Sequence, residues 1–323
     1  MYNKAYGVIE TLAPLHVGAT AGEETGNLNL IFRDQFTQTG IVPGSSIRGR
    51  LRSEMRSERQ QWLEEKVAEE LKKKGETIPK TFSFKNAKGE EEEQTKLEWL
   101  QKKAEQLKLN VPSKKDENLW YGHEAVKGKP DSTTESLVKF EYASILWLPV
   151  FCPGQPIVWV SCPRLLKRYK RIAGETIKAK VPEKEELCIG SRELERKKLF
   201  FNFGFVTIDR PKQDLTEWFP DRKERPAIVV GDDEIAMIHD MALYRQSRVT
   251  LEKEEKRVEE GKFFNTEALP EETILVFPIA HKPDKDGNEW KPTITDIYLG
   301  GLESIGFGHC ELKVNFHRTQ QGV

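Results

Sequence analysis

Apolar and polar residues alternate along residues 4–14 (KAYGVIETLAP), the two-residue period of a half-buried strand. A polar, glycine-bearing loop is expected from Gly18 to Asn29. Short apolar segments at Leu30-Ile31-Phe32 and Ile41-Val42 then flank a turn near Thr39-Gly40. A helix follows, with Ser45 or Ser46 suited to its N-cap, because Ile47, Leu51 and Met55 recur at i, i+4 and i+8 on one face.

Further along, helical patterns at about 58–74 and 92–108 surround a looser segment, TIPKTFSFKNAKGE. Strand patterns return at 137–151 (LVKFEYASILWLPVF) and 156–162 (PIVWVSC). CPRLLKRYKRIAG reads as a helix with Pro163 in its first turn. FFNFGFVTI (200–208) is strand-like, and EIAMIHDMALYRQ (234–246) forms an amphipathic helix. SRVTLEKEEKRVEEGKFFNTEALP suits a long hairpin or arm. TILVFPIAH (273–281) and HCELKVNF (309–316) are strands. This interleaving predicts an α+β class rather than strict βαβ repeats.

Composition adds exclusions. The 323 residues carry 51 basic and 52 acidic side chains, a net charge of -1. That sum argues against a uniformly basic nucleic-acid binder, and no apolar run approaches the roughly 18–20 residues of a spanning helix. No secretory signal pattern follows Met1-Tyr2-Asn3-Lys4, so a cytoplasmic location is expected. The four cysteines (Cys152, Cys162, Cys188, Cys310) form no CxxC pair, which disfavours a zinc site or a disulfide framework. His123, His239, His281, His309 and His317 show no metal-ligand spacing. The acidic triplet Asp232-Asp233-Glu234 suits a helix start.

The average hides local imbalance. Residues 61–110 contain 11 Lys and 11 Glu with no Arg or Asp, the pattern of a solvated helical insertion. Residues 41–60, by contrast, hold Arg48, Arg50, Arg52, Arg56 and Arg59 against Glu54 and Glu58. Residues 161–180 hold Arg164, Lys167, Arg168, Lys170, Arg171, Lys178 and Lys180 against Glu175 alone. Both runs open at an expected helix N-terminus, where amides and cations converge on an anion such as a polynucleotide phosphate. Gly300, Gly301, Gly306 and Gly308 form a third feature, YLGGLESIGFGHCEL, which allows close backbone approach without matching GxGxxG or the Walker pattern.

PGSSIRGRLR near the N-terminus and GGLESIGFG near the C-terminus resemble the paired signatures of the RAMP superfamily of CRISPR RNA-binding proteins. SILWLPVFCPGQPIVWVSCPRLLKRYKR and SRVTLEKEEKRVEEGKFFNTEALPEETILVFPI resemble the central strands, helix and thumb hairpin of type III CRISPR backbone subunits. The resemblance is collinear and covers roughly 1–56, 138–171 and 240–316. It implies a modified ferredoxin-like (RNA-recognition-motif) core, with residues 1–56 as its first part and 57–137 as a charged, mostly helical insertion. Residues 138–323 would form the remainder, with the thumb at about 246–270.

The implied function is to hold guide RNA and space the guide–target duplex, alongside other RAMP subunits and the large and small subunits of an effector complex. Target RNA would pair with the guide, and no membrane partner is implied. Carried onto this chain, Ser45, Ser46, Arg48 and Arg52 would hold guide phosphates at the first helix; Arg50, Arg164, Lys167 and Arg168 are RNA-binding candidates from the charge runs. Arg245 and Arg248, with Phe263 and Phe264, would belong to the thumb base and return limb. The four glycines would pack beside the RNA.

Such subunits often cut target RNA with an Asp in the loop after the first strand. Matching that loop to HVGATAGEETGNLNLIFRDQ places Asn29 at the Asp position. An amide cannot carry the charge needed to hold a cation or act as base, so a non-cleaving position without cofactor is expected. Glu23, Glu24 and Asp34 are the candidates if the loop register differs, with a divalent cation such as Mg then required. That alternative is a metal-dependent endoribonuclease. A second alternative is a guide-precursor endonuclease using His16 as base, against a structural role for that histidine.

Overall fold

The computed structural model describes residues 2–18, 28–85, 91–93, 95–123, 133–183, 188–202, 204–251, 258–292 and 294–317. The chain opens with β1 (Asn3–Thr11), β2 (Leu28–Asn29), β3 (Ile41–Val42), α1 (Gly44–Lys73), β4 (Ser83–Lys85), β5 (Glu91–Glu93), α2 (Lys96–Gln106) and α3 (Glu117–Tyr121). There follow β6 (Val138–Phe140), β7 (Ala143–Phe151), β8 (Ile157–Ser161), α4 (Pro163–Ala173), β9 (Ile189–Gly190), β10 (Lys198–Phe201), β11 (Gly204–Thr207) and β12 (Ala227–Val229). The last elements are α5 (Ile235–Ala242), β13 (Tyr244–Leu251), β14 (Val258–Ala268), β15 (Ile274–His281), β16 (Asp296–Tyr298) and β17 (His309–Phe316).

Two compact units result. The larger comprises Tyr2–Ile47, Phe140–Ala280 and Pro292–Val323, and the smaller Arg48–Lys139 with His281–Lys291. The larger unit is α+β, and most of a ten-stranded sheet lies in it. That sheet's main path runs β16-β17-β1-β15-β7-β8-β12-β9, with β3 pairing β7 off that path. The first and closing strands are neighbours, antiparallel from Ala5↔Phe316 to Thr11↔Cys310. β1 is therefore central rather than half-buried, and Ala5 to Ile9 are buried without alternation. Gly7 has a packing reason: a Cβ there would meet the Phe277 ring.

α4 lies on this sheet through Leu166, Tyr169, Ile172 and Ala173, which join Tyr6, Val8, Trp147 and Val276 in one core cluster. Trp147 stacks on Phe219 at 4.5 Å. The opposite face of the same helix carries its cations, so the sheet anchors α4 with its charged side outward. β13 and β14 form an antiparallel hairpin, and β2 adds in parallel through Asn265↔Leu28 and Thr266↔Asn29.

In the smaller unit, Leu63, Val67 and Leu71 of α1 pack against Trp99, Leu100 and Ala104 of α2. Thr95 and Glu98 form a reciprocal capping box that starts α2. The expected break near residue 57 falls inside α1, which is continuous from Gly44 to Lys73. No proline or glycine interrupts residues 50–73, and the apolar positions of its first turns carry on at Leu63, Val67 and Leu71.

Three further expectations change. FFNFGFVTI is two strands rather than one, paired Lys198↔Thr207 to Phe201↔Gly204. α5 ends at Ala242, and Tyr244 already belongs to β13. Ser46 and Ile47 donate their backbone N–H groups to the Pro43 carbonyl at 3.0 and 3.3 Å. Pro43 therefore holds the N-cap position, and Ser45 and Ser46 lie within the first turn. Among the described residues, no helix is long and apolar enough to cross a membrane. All four cysteines are free thiols, and burial pushes Cys162 up strongly and Cys310 up to about 12.

Candidate nucleic-acid interface

The outward face of α4 borders a cavity of about 1160 Å³, whose other wall is the turn at Asp34–Thr37 together with Tyr142 and Ser144. Asp34 builds that turn. Its Oδ1 accepts from the Phe36 and Thr37 backbone N–H groups at 3.0 and 2.8 Å and from the Thr37 hydroxyl at 3.1 Å. Its Oδ2 accepts from Tyr142 Oη at 3.3 Å. Partial burial pushes the carboxyl up, but these hydrogen bonds outweigh it and hold the pKa below the usual value. The Asp34 carboxylate is thus committed to turn geometry, and it holds Phe36 at 73% exposure.

The cations of α4 divide into two groups. Arg168 is committed: it donates to Ser144 Oγ at 2.8 Å and the Tyr142 carbonyl at 3.0 Å, and its guanidinium lies 4.1 Å over the Tyr142 ring. Lys170 is also engaged, donating to the Ala179 carbonyl at 2.6 Å. Arg164, Lys167 and Arg171 make no side-chain hydrogen bond or ion pair among the described residues, though the Arg164 guanidinium sits 4.8 Å from the Phe36 ring centre. The amide seat expected at the start of α4 is already filled, because Arg164 N–H donates to Asp232 Oδ1 at 2.9 Å. Asp232 caps α4 rather than the helix that follows it in sequence.

The arginines of α1 belong to a different environment. Arg48 Nε donates to the Tyr121 carbonyl at 3.1 Å, and Arg52 to Asn118 Oδ1 at 3.2 Å. Arg59 reaches Glu117 at 3.0 Å, with Arg56 at 3.9 Å from the same carboxylate. Arg48 and Arg52 do share a face, and that face meets α3 of the same unit. Arg50 pairs with Glu54 at 3.3 Å. Gly49 was not singled out by sequence reasoning, yet a Cβ there would meet nothing within 4 Å. Glycine inside a helix costs about 1 kcal/mol relative to alanine, and the fold gives this one no packing reason.

Asn29 is half-buried beside β14. Next to it, Glu267 is a buried carboxylate held by Arg33 at 3.1 Å and Arg245 at 3.2 Å. His16 donates from Nδ1 to the Glu267 carbonyl at 2.6 Å, a structural bond that fixes the ring. His239 is fully buried, and its Nε2 accepts from the Gly40 N–H at 2.9 Å. Arg248 is the register partner of Phe264 in the hairpin; the side chains of Phe263 and Phe264, and Glu23 and Glu24 altogether, lie outside the described residues. Among the described residues, no three His, Cys, Asp or Glu side chains gather to hold a metal ion.

The glycine loop splits into two kinds. A side chain at Gly300 would strike the His16 carbonyl, and one at Gly308 the Leu299 carbonyl, both at positive φ. At Gly301 and Gly306 a Cβ would meet nothing within 4 Å, and of these two only Gly306 is at positive φ. Gly301 N–H donates to His16 O at 2.9 Å, so the loop is tied to the segment after β1.

Comparison with known proteins decides the family. A sequence profile of the RAMP superfamily matches residues 8–311. The chain belongs to the RAMP superfamily. Solved structures with a similar fold include a chain of the Type III-B Cmr-beta complex bound to cognate target RNA (20% identity, TM-score 0.61, 97% of this chain and 98% of that one). A chain of the apo Cmr-beta complex is similar as well (18% identity, TM-score 0.59, 97% of each chain). So is oligomeric Cmr4 from Pyrococcus furiosus (17% identity, TM-score 0.57, 98% of this chain and 100% of that one). No curated protein sequence matches this RAMP chain.

Proposed function

We propose that this chain is a guide-RNA-binding backbone subunit of a type III CRISPR effector complex, working in the cytoplasm beside other RAMP subunits and the large and small subunits. The observation that carries the reading is superfamily membership across residues 8–311, joined to a fold shared with a chain of a Type III-B complex bound to target RNA. In this reading the large sheet with α4 and the first turn of α1 is the modified ferredoxin-like core, and the β13–β14 hairpin is the thumb. Residues 57–137 supply the insertion. Guide and target sequence is read by base pairing, while the protein holds phosphates and shape.

The α1 start offers amides after Pro43, a residue with no side-chain oxygen to occupy them. Ser45, Ser46 and Arg50, together with the unhindered Gly49, would hold guide phosphates there. Arg48 and Arg52 would contribute field more than direct contact, since their donors already serve α3. Gly301 and Gly306 would let the loop backbone approach the strand. Arg245 and Arg248 would stand at the thumb base. The subunit would not cleave, because Asn29 brings an amide where the family's cutting members carry a carboxylate.

Reconstitution with partner subunits and a repeat-bearing guide tests this directly. The chain should enter a ribonucleoprotein only when guide is present and should protect it from nuclease at regular intervals. Assembly without RNA, or an unprotected guide, contradicts the reading.

A further inference from the structure

A single segment, Pro14 to His16, runs between the glycine loop and the root of the β13–β14 hairpin, and its hydrogen bonds leave alternately to the two sides. Towards the loop, the Pro14 carbonyl accepts from Gly308 N–H and the His16 carbonyl from Gly301 N–H, both at 2.9 Å. Towards the hairpin, Leu15 both donates to and accepts from the Leu269 backbone, each time at 2.9 Å. The His16 ring adds a bond on that side, from Nδ1 to the Glu267 carbonyl at 2.6 Å. Glu267 lies one residue from the end of β14, so the segment is a strut between the loop and the hairpin root.

His16 holds both sides at once, by its carbonyl and by its ring, and it is only 8% exposed. A buried imidazole is costly unless hydrogen-bonded, and an apolar side chain would fill the same space without that demand. What the ring supplies beyond packing is direction, because a hydrogen bond fixes distance and angle where an apolar contact slides. The ring is also confined at its other nitrogen, since a Cβ at Gly18 would come within 2.9 Å of Nε2. Arg33 and Arg245 hold the Glu267 carboxylate, and Arg33 passes on to Asp240 of α5. Those ion pairs tie the root to α5. Against the loop it has the strut and an edge-on contact of Tyr244 with Phe307 at 5.9 Å.

We propose that His16 is a positioning residue that sets the offset between the glycine loop and the hairpin, and hence where the hairpin meets RNA held at the loop. The functional half rests on the role proposed above for the loop and the hairpin; the strut rests on its hydrogen bonds. In this role His16 does not touch RNA. Its loss widens the range of hairpin positions and leaves guide affinity unchanged.

The test measures the distance distribution between nitroxide labels on Gln246→Cys of β13 and Ser304→Cys of the loop, in the full chain carrying Cys188→Ser. Both label positions are exposed, and the other three cysteines are buried. His16→Ala should raise the population of displaced hairpin positions by about fivefold, the effect of one lost hydrogen bond. His16→Asn places an amide N–H near the position of Nδ1 and should restore the narrow distribution. His16→Gln reaches towards Nε2 instead and should not. Should His16→Ala fail to fold, Gly18→Ala presses on the ring from Nε2 and should broaden the distribution likewise. In the reconstituted complex without labels, the nuclease-protected intervals on the guide should blur in His16→Ala and sharpen again in His16→Asn.

Equal widths in all these variants would overturn the strut and leave guide binding standing. A lower melting temperature in His16→Ala with an unchanged width would overturn it in favour of a residue serving stability alone. The expected change in width, in a chain whose wild type binds no guide, would uphold the strut and overturn the proposed function.

Discussion

The Arg59 guanidinium meets both oxygens of Glu117, at 3.0 and 3.1 Å, and the Glu117 side chain is only 4% exposed. With Arg48 on the Tyr121 carbonyl and Arg52 on Asn118, the arginine face of α1 is a structural clasp on α3. Glu117→Ala removes the buried partner and leaves cations uncompensated, at a cost of about 3 kcal/mol. Hydrogen exchange across residues 96–121 should lose protection. Retained protection would mean that the pair is solvent-screened and weak.

Asp34 is predicted to act through its turn. Asp34→Ala should destabilise by about 1–2 kcal/mol as the Phe36 and Thr37 amides lose their acceptor. Asp34→Asn keeps an acceptor oxygen and should cost less. Because the folded pKa is lowered, the carboxylate's stabilisation is present above its ordinary value of 3.8 and disappears as pH falls through the folded value. Denaturant midpoints measured from pH 6 downward should fall less steeply in Asp34→Asn than in the wild type, since only this group's share of the acid-side loss is removed.

His239 should stay neutral well below the usual histidine range. Burial, with Arg33 and Arg245 nearby, pulls its pKa from 6.5 to about 3 against the opposing pull of Asp240. The neutral ring stabilises the fold fully above pH 6.5, and this contribution is lost as pH falls from 6.5 towards 3. Nitrogen NMR of the ring should report the Nδ1–H tautomer unchanged at pH 5, since Nε2 accepts from Gly40. A midpoint near 6.5 would contradict the buried placement.

The two kinds of loop glycine should respond differently. Gly300→Ala meets both a positive φ and the His16 carbonyl, so it should destabilise by more than 1 kcal/mol. Gly301→Ala has open space and should leave stability within about 0.5 kcal/mol. If RNA lies against this loop, Gly301→Ala instead weakens guide binding. Thermal melting and guide affinity, measured on both variants, separate packing from contact.

Periodicity made α4 and β17 legible, because each buries one face, while β1 and β15 were legible as apolar segments although both are buried almost throughout. The α1 continuation was harder: its Lys/Glu-rich surface suggested a new segment, while Leu63, Val67 and Leu71 carried the same helix onward. The cations of α1 and α4 were visible as charge runs, but a run does not say where each guanidinium ends. Arg48, Arg52 and Arg59 found partners on α3, a segment far along the chain. Arg164 and Lys167 stayed open. Phe36 was missed because an aromatic residue in a polar turn looks like core until its exposure is known. The capping of α4 by Asp232 was equally hidden, since 68 residues separate it from Arg164.

The near-neutral net charge of -1 is an average over two unlike surfaces, a balanced insertion and a basic α4 face. Whether that face and the α1 start serve a guide is decided most directly by sequencing the RNA that co-purifies with the affinity-tagged chain from cells expressing its complex. The account predicts enrichment of repeat-tagged guide RNAs, lost when Ser46→Glu places a carboxylate in the first turn of α1. RNA of random origin, or none, would contradict it.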